Sequence, residues 1–355
     1  MESVDLIYKA IYILVIFGIT LLIATYSTYF ERKIAAFIQD RVGPNRAGPF
    51  GLLQPLADAG KLFFKEEFIP AKANKALFIL GPGIAMLVAT MSSAVIPFGD
   101  MLIVGGREIW LQAIEVNIGV LYVFGIVSLG VYGLMIGGWA SNNKFSLLGA
   151  IRAASQNISY ELAMGLSLIA ILMMTGSLSL REIAEQQQGF NWNIWYQPLG
   201  FIIFLVCAFA ETNRTPFDLP ESEAELIGGY HTEYGSMKLG MYLFAEYINI
   251  FVASAVMATL YFGAYNFPFM VELEAWLANA LDNAVTANNI VTLLGVGVMF
   301  AKIFLFIFFF MWVRWTLPRF RYDQLMKLGW QILIPLAILN VVLTGGAILL
   351  KDTLF

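Results

Sequence analysis

One cysteine and one histidine in 355 residues exclude much chemistry at the outset. Cys207 lies alone in an apolar run, so no disulfide can form within the chain, and it reads as a small buried hydrophobe. With His231 as the only imidazole, iron–sulfur, zinc and haem sites of the usual kinds are excluded. His231 itself reads as a surface or hydrogen-bonding residue of a loop. Neither a phosphate-cradling glycine loop of the nucleotide-site type nor a nucleophile elbow occurs. If electrons move here, other chains carry the redox centres. Charge is scarce as well: charged residues make up 13% of the chain against 59% hydrophobic residues, and the mean hydropathy is +0.74. That balance excludes an ordinary soluble domain.

What the chain has is long apolar runs. A spanning helix needs about 20 mostly apolar residues. Eight runs are expected to span: 6–29, 76–97, 118–139, 155–175, 198–210, 238–265, 290–315 and 331–350, the fifth short at its apolar core. The first is too long for a cleaved signal and lacks a small-residue cleavage site. The expected fold is an all-α polytopic membrane protein forming one domain over 1–355, with an interfacial helix and ordered loops. Sixteen basic residues fall in the loops after the odd-numbered spans or at the span ends beside them, and four on the opposite side. The positive-inside rule therefore puts those loops in the cytoplasm and both termini outside.

Two cytoplasmic loops stand out. The first, 31–75, opens with ERKIAAFIQDRVGPNRAGPFG, whose Gly, Pro, Asn and Arg signal ordered turns more than a helix. Helical periodicity then runs from Phe50 to Lys65, with Gln54, Asp58, Lys61 and Lys65 on one face and Leu52, Leu53, Leu56, Gly60 and Phe63 on the other. That segment is too short and too charged to span, so it is expected to lie in the membrane plane, as a plain connector or as the wall of a doorway for a lipid-soluble ligand.

The second, 211–237, contains ETNRTPFDLPESEAELIGGYHTEY. It sets six carboxylates, Glu211, Asp218, Glu221, Glu223, Glu225 and Glu233, between two apolar segments. Pro216 and Pro220 suit the first turn of a short helix, whose macrodipole Glu221 and Glu223 would complement. That explains two acids of six. If the segment were helical, Asp218, Glu221 and Glu225 would share a face, and clustered acids raise one another's pKa. Within the spans lie Glu161, Glu246 and Lys302, and an ionised group there costs about 3 kcal/mol on insertion scales. Such groups usually face the bundle interior, as a structural Glu–Lys pair or as a proton or ligand path. Asn157 and Glu161 share a helix face by their spacing.

The motifs ERKIAAFIQDRVGPNR, GLLQPLADAGKLFFKE, RAASQNISYELAMG, ETNRTPFDLPESEAELIGGYHTEY, LFAEYINIF and WVRWTLPRFRYDQLMKLGW together resemble those of one family. It is the membrane subunit that builds the quinone chamber of respiratory complex I, the NADH:quinone oxidoreductase of bacteria and mitochondria. The resemblance implies a subunit at the junction of the membrane and peripheral arms of a bacterial inner-membrane complex. Quinone is the implied substrate, with NAD, FMN and iron–sulfur clusters on partner subunits. It implies that the turn from Arg41 to Arg46 and the interfacial helix with Asp58 border the quinone entrance. Arg32, Arg214 and Phe217, with Asp218, would form the chamber wall. The six loop acids would make a funnel that Glu161, Glu246 and Lys302 continue toward neighbouring proton-pumping subunits. Related subunits of membrane-bound hydrogenases and F420H2 dehydrogenases share parts of these motifs. A secondary transporter is the alternative from another class, but neither the acidic loop nor the basic turn is duplicated within the chain. The connection 267–289 carries none of these motifs.

Overall fold

The computed structural model describes the backbone of residues 2–221 and 223–354, and the side chains of residues 8–221 and 225–351. Its helices are α1 (Glu2–Ile38), α2 (Gln54–Phe64), α3 (Lys75–Ser92), α4 (Gly119–Ala140), α5 (Lys144–Thr175), α6 (Leu180–Glu185), α7 (Asn193–Tyr196), α8 (Pro198–Glu211), α9 (Glu223–Leu226), α10 (Ser236–Phe262), α11 (Met270–Leu281), α12 (Ala284–Thr316), α13 (Tyr322–Lys327) and α14 (Ile334–Leu354). A π-helical turn, Leu328–Leu333, joins the last two. One antiparallel hairpin, β1 (Met101–Val104) with β2 (Arg107–Trp110), lies between α3 and α4. Among the described residues, seven helices are long and apolar enough to cross a membrane, and α8 is a shorter apolar helix. The protein is thus an all-α, multi-pass membrane protein.

Two elements differ from the sequence reading. α1 does not stop at the membrane edge but continues through Glu31 to Ile38, so turns begin only at Gln39. The run ERKIAAFI contains no Gly or Pro, and its small and apolar Ala35 and Ala36 pack inward. The turn-forming residues all come later. The interfacial helix is also shorter than its periodicity, because Phe50 sits at φ 54° inside the turn before it.

α8 explains the depth of the acidic loop. It has 14 residues, about 21 Å of helix at 1.5 Å per residue, too little to cross alone. Gln197, which caps its start, meets the middle of α14, donating to Thr344 and accepting from Asn340. Its last turn meets the middle of α5, where the Gln156 amide donates to the carbonyls of Ala210 and Phe217 and to the Asn213 side chain. Gln156 lies about 18 Å along α5 from Lys144. The acidic loop therefore starts inside the bundle and climbs out of it. Irregular backbone at that depth must be enclosed by protein. Tyr160 and Phe320 flank the Phe217 ring, at 5.2 and 5.4 Å between centroids, and the Phe320 amide donates to the Pro216 carbonyl.

The bundle is drawn tight by small residues, as membrane helices are when lipid offers no hydrophobic drive between them. Tyr242 of α10 donates to the Gly133 carbonyl of α4, and a Cβ on Gly137 would overlap the Tyr242 hydroxyl. Gly137→Leu is accordingly expected to lower the amount of folded protein in membranes several-fold. Gly83→Ala, where an added Cβ meets nothing within 4 Å, is expected to leave it unchanged. Quantitative blotting of both variants against wild type checks the pair.

Candidate functional site

Between α1, α2, the acidic loop, α10 and α12 lies a cavity of ≈ 360 Å³. Each wall contributes charge. α1 brings Glu31 and Arg32, α2 brings Asp58 and Lys61, the loop brings Arg214 and Glu221, α10 brings Glu246 and Tyr247, and α12 brings Arg314. The charges are paired across elements. Arg214 meets Glu246 at 3.0 Å, Arg314 meets Glu31 at 2.6 Å, and Arg32 meets Asp58 at 2.8 Å. Tyr247 donates to Glu31 at 2.8 Å and lies under the Arg214 guanidinium, 4.5 Å from ring centroid to charge. Tyr230 donates to the other oxygen of Glu246 at 3.0 Å. Taking such ions out of water costs several kcal/mol each, so the network holds only because pairing and hydrogen bonds offset that loss together.

The loop's own electrostatics follow from the same packing. Burial disfavours the charge on Arg214, but Glu246, Tyr247, Glu31 and Glu221 around it outweigh that and raise its pKa further. Burial would also raise the Glu221 carboxyl, yet the His231 imidazole 3.5 Å away and the charge of Arg214 hold it well below the usual carboxylate range. His231 responds in kind: burial opposes its charge, and the Glu221 carboxylate, 3.5 Å away, raises it above 6.5.

Glu246 also lines a second, smaller cavity of ≈ 30 Å³ that it shares with Glu211, Asn157, Asn213, Tyr230 and Asn249. Glu211 in turn lines a third, mostly apolar cavity of ≈ 40 Å³. Met164 of α5 lines that cavity too, and about one turn before it on the same helix stands Glu161, with the Ser128 hydroxyl of α4 donating to its carboxylate. Glu31, Glu221, Glu246, Glu211 and Glu161 thus follow one another from the large cavity into the bundle.

Other residues singled out by sequence are placed elsewhere. Asp218 is buried and paired with Arg319 at 2.7 Å. Glu225 is at the surface, 2.5 Å from Arg152, and Glu233 accepts from Asn143 at 2.6 Å beside a separate surface hollow. Asp218, Glu221 and Glu225 do not share a face. Pro216 and Pro220 keep the chain in turns, and helix forms only over the single turn of α9. The close approach of Gly229, at φ 60°, to the Pro220 carbonyl fixes that path. The Glu223 side chain lies outside the described residues. Phe217 is buried against Tyr160 and forms no part of the cavity wall. Arg41 and Arg46 are exposed on the turn after α1, with Arg41 donating to Gln39. Lys302 is not brought to the acids. Its ammonium donates to the carbonyls of Phe262, Ala264 and Asn266, each at 2.7 Å, where α10 ends.

Sequence reasoning passes over Glu31, Arg314, Tyr230 and Tyr247, which sit beside the residues it selects. Glu31 opens the ERK triplet, Arg314 is charged within a long apolar run, and Tyr247 follows Glu246. For an aromatic hydroxyl the signal is adjacency to a buried acid, because a buried Tyr oxygen needs a partner. From sequence His231 reads as a surface or hydrogen-bonding loop residue, and the structure sets it 3.5 Å from Glu221. Among the described residues, no three His, Cys, Asp or Glu side chains are grouped to hold a metal ion.

A family model described as NADH dehydrogenase matches residues 11–345. An H subunit of NADH-quinone oxidoreductase from Cytophaga hutchinsonii is 66% identical over 345 residues, covering 97% of this chain and 98% of that protein. The H subunit from Flavobacterium johnsoniae is 63% identical over 352 residues, covering 99% and 98%. An H subunit from Geobacter metallireducens is 46% identical over 349 residues, covering 98% and 99%. The chain belongs to the NADH dehydrogenase family. It is therefore a membrane subunit of an oxidoreductase complex, and the hydrogenase and transporter readings are not favoured. Within such a complex, the lone His231 becomes a testable group. Its raised pKa stabilises the fold fully below 6.5 and ceases to do so as pH rises through the raised value. The lowered Glu221 adds stability above 4.5 that is lost as pH falls through its own lowered value. His231→Gln should therefore heat-inactivate faster than wild type by a ratio that is largest from pH 4.5 to 6.5 and shrinks toward one at alkaline pH. Inactivation rates of the purified complex across pH give that ratio.

Proposed function

We propose that this chain is the quinone-chamber subunit of a proton-translocating NADH:quinone oxidoreductase and couples quinone reduction to proton movement through its buried carboxylates. The observation that carries the reading is the position of Glu246, on the wall of both the charged cavity and the small cavity leading to Glu211. The ≈ 360 Å³ cavity is of a size to hold a small ring, since ligand pockets run from about 300 Å³ upward. Its polar groups suit a quinone's two carbonyl oxygens. On the outward side of α2, Leu56, Phe63 and Phe64 are exposed and give an isoprenoid tail an apolar path from the lipid. The turn with Arg41 and Arg46 flanks that path at the membrane surface.

Reducing a quinone to a quinol takes two electrons and two protons. The electrons come from NAD, FMN and iron–sulfur chemistry on hydrophilic partner subunits. The side chains here hold protons and respond to charge. A negative charge forming in the cavity pulls on Arg214, which then releases its hold on Glu246, and a change at Glu246 alters the field at Glu211 and Glu161. That is coupling through a switchable ion pair. Glu225 and Glu233, paired at the surface, tune the loop and lie off this line, and Lys302 fastens α10. The subunit sits in the inner membrane of a bacterium beside other membrane subunits, basic loops in the cytoplasm and termini in the periplasm.

Glu246→Gln is expected to lower quinone-linked proton translocation at least about tenfold while NADH oxidation by ferricyanide stays intact. Glu225→Gln should cost no more than about twofold, as exposed ion pairs are worth little. Proton uptake and NADH oxidation measured together in inverted vesicles decide it. Unchanged translocation in assembled Glu246→Gln would remove Glu246 from the path.

A further inference from the structure

Glu246 and Glu211 line the same small cavity, but among the described residues no hydrogen bond joins them. The Glu246 oxygens are taken by Tyr230 and Arg214. The ≈ 30 Å³ space between them has room for water, a single molecule of which needs about 10–15 Å³ of such space. Two atoms on its wall point to what fills it. Asn157 is 3% exposed, and its Oδ1 is buried with no hydrogen-bonding partner in the protein. Glu211 Oε2 is buried and unpartnered in the same way. Apolar cavities stay dry, whereas a polar one of this size with two to four partners holds ordered water. Asn157, Glu211, Glu246 and Asn249 supply those partners.

We infer that Asn157 holds one ordered water between Glu246 and Glu211, and that this water passes the proton from one carboxyl to the other. The inference rests on the carboxylate path proposed above and supplies its missing step. As Glu246 in its acid form gives its proton to the water oxygen, the water gives one of its own to the Glu211 carboxylate. One carboxyl O–H bond breaks, another forms, and the water is regenerated with the proton count unchanged. An amide suits the task because it orients water without taking up the proton. An acid at position 157 would add a third charge to the pair it bridges. Asn157 is thus a positioning residue, acting through the water it holds.

The test uses the full complex in proteoliposomes. Asn157→Leu, similar in shape and unable to bind water, is expected to lower quinone-linked proton translocation at least about tenfold with ferricyanide reduction retained. Asn157→Ser keeps a hydroxyl and leaves room for water, and is expected to recover translocation to within about threefold. Wild-type translocation in Asn157→Leu, or Asn157→Ser performing no better than Asn157→Leu, overturns the inference. Glu211→Gln separates it from the reading beneath it. If Glu211→Gln translocates normally, the path itself fails. If Glu211→Gln is impaired and Asn157→Leu is not, only the water step fails. Should Asn157→Leu not assemble, a high-resolution map of the wild-type complex decides: density within hydrogen-bonding distance of Asn157 Oδ1 is expected, and a dry cavity overturns it.

Discussion

The ion pair between Arg214 and Glu246 is what the centre of this fold depends on. One partner comes from an irregular loop and the other from the most enclosed of the long helices, α10. Removing either partner of such a buried pair leaves an uncompensated charge and costs about 3–5 kcal/mol. The pair therefore holds the loop at depth, where Gln156 and the rings around Phe217 satisfy its backbone and cover its turns. With the loop at depth, its neighbours meet in one wall: Glu31 and Tyr247 against Arg314 and Arg214, Tyr230 against Glu246. Without that anchor, the charged cavity would lose a side.

A buried ion pair is weak evidence for stability, since apolar packing of the same volume often serves as well. Its use is responsiveness. Arg214 touches two partners and feels the charge of a third, and the three differ in what they report: Glu246 leads inward to Glu211, Tyr247 leads to Glu31 on α1, and Glu221 leads to His231 on the loop. A charge appearing in the cavity competes with all of them at once. In a medium of low dielectric, that competition is felt over distances at which water would screen it. A lipid-soluble substrate that changes charge on reduction is the kind of ligand such a wall can sense.

Much of this was legible in the sequence, for physical reasons that also mark where legibility ended. Composition and run length gave the membrane class, because the bilayer imposes a length on every spanning helix. The six motifs gave the family. Glu211, Glu246, Arg214 and Asp58 stood out because charge near a membrane has few innocent explanations. Their pairings did not follow. Arg214 meets Glu246, 32 positions on, while Asp218 meets Arg319 and Glu225 meets Arg152, so acids adjacent in sequence part company in space. Helical spacing placed Asp218, Glu221 and Glu225 together only by assuming a helix across all three, where the chain forms turns before the single turn of α9. Lys302 misled for a related reason. A lysine inside a span needs partners, but three carbonyls at a helix end satisfy an ammonium as well as a carboxylate does.

That lysine bears on where the acids lead. It fastens the far end of α10, while Glu246 is paired with Arg214 in the other half of the same helix, so charge anchors the helix at two levels. Between these anchors the bundle is filled with apolar side chains such as Ile203, Phe204, Phe251 and Val252. A polar route straight along α10 to the far side would have to cross that core. The carboxylates instead run sideways, from Glu246 to Glu211 and on to Glu161, which is only half-buried and bonded to Ser128 where α5 meets α4. An acid at a helix pair's outer face, inside the membrane, faces either lipid or protein. Lipid would impose the full insertion cost of about 3 kcal/mol on its charge. A polar protein surface packed there would remove that cost, which is a physical reason for the proposed line of carboxylates to turn outward at Glu161 and not to cross the apolar core along α10.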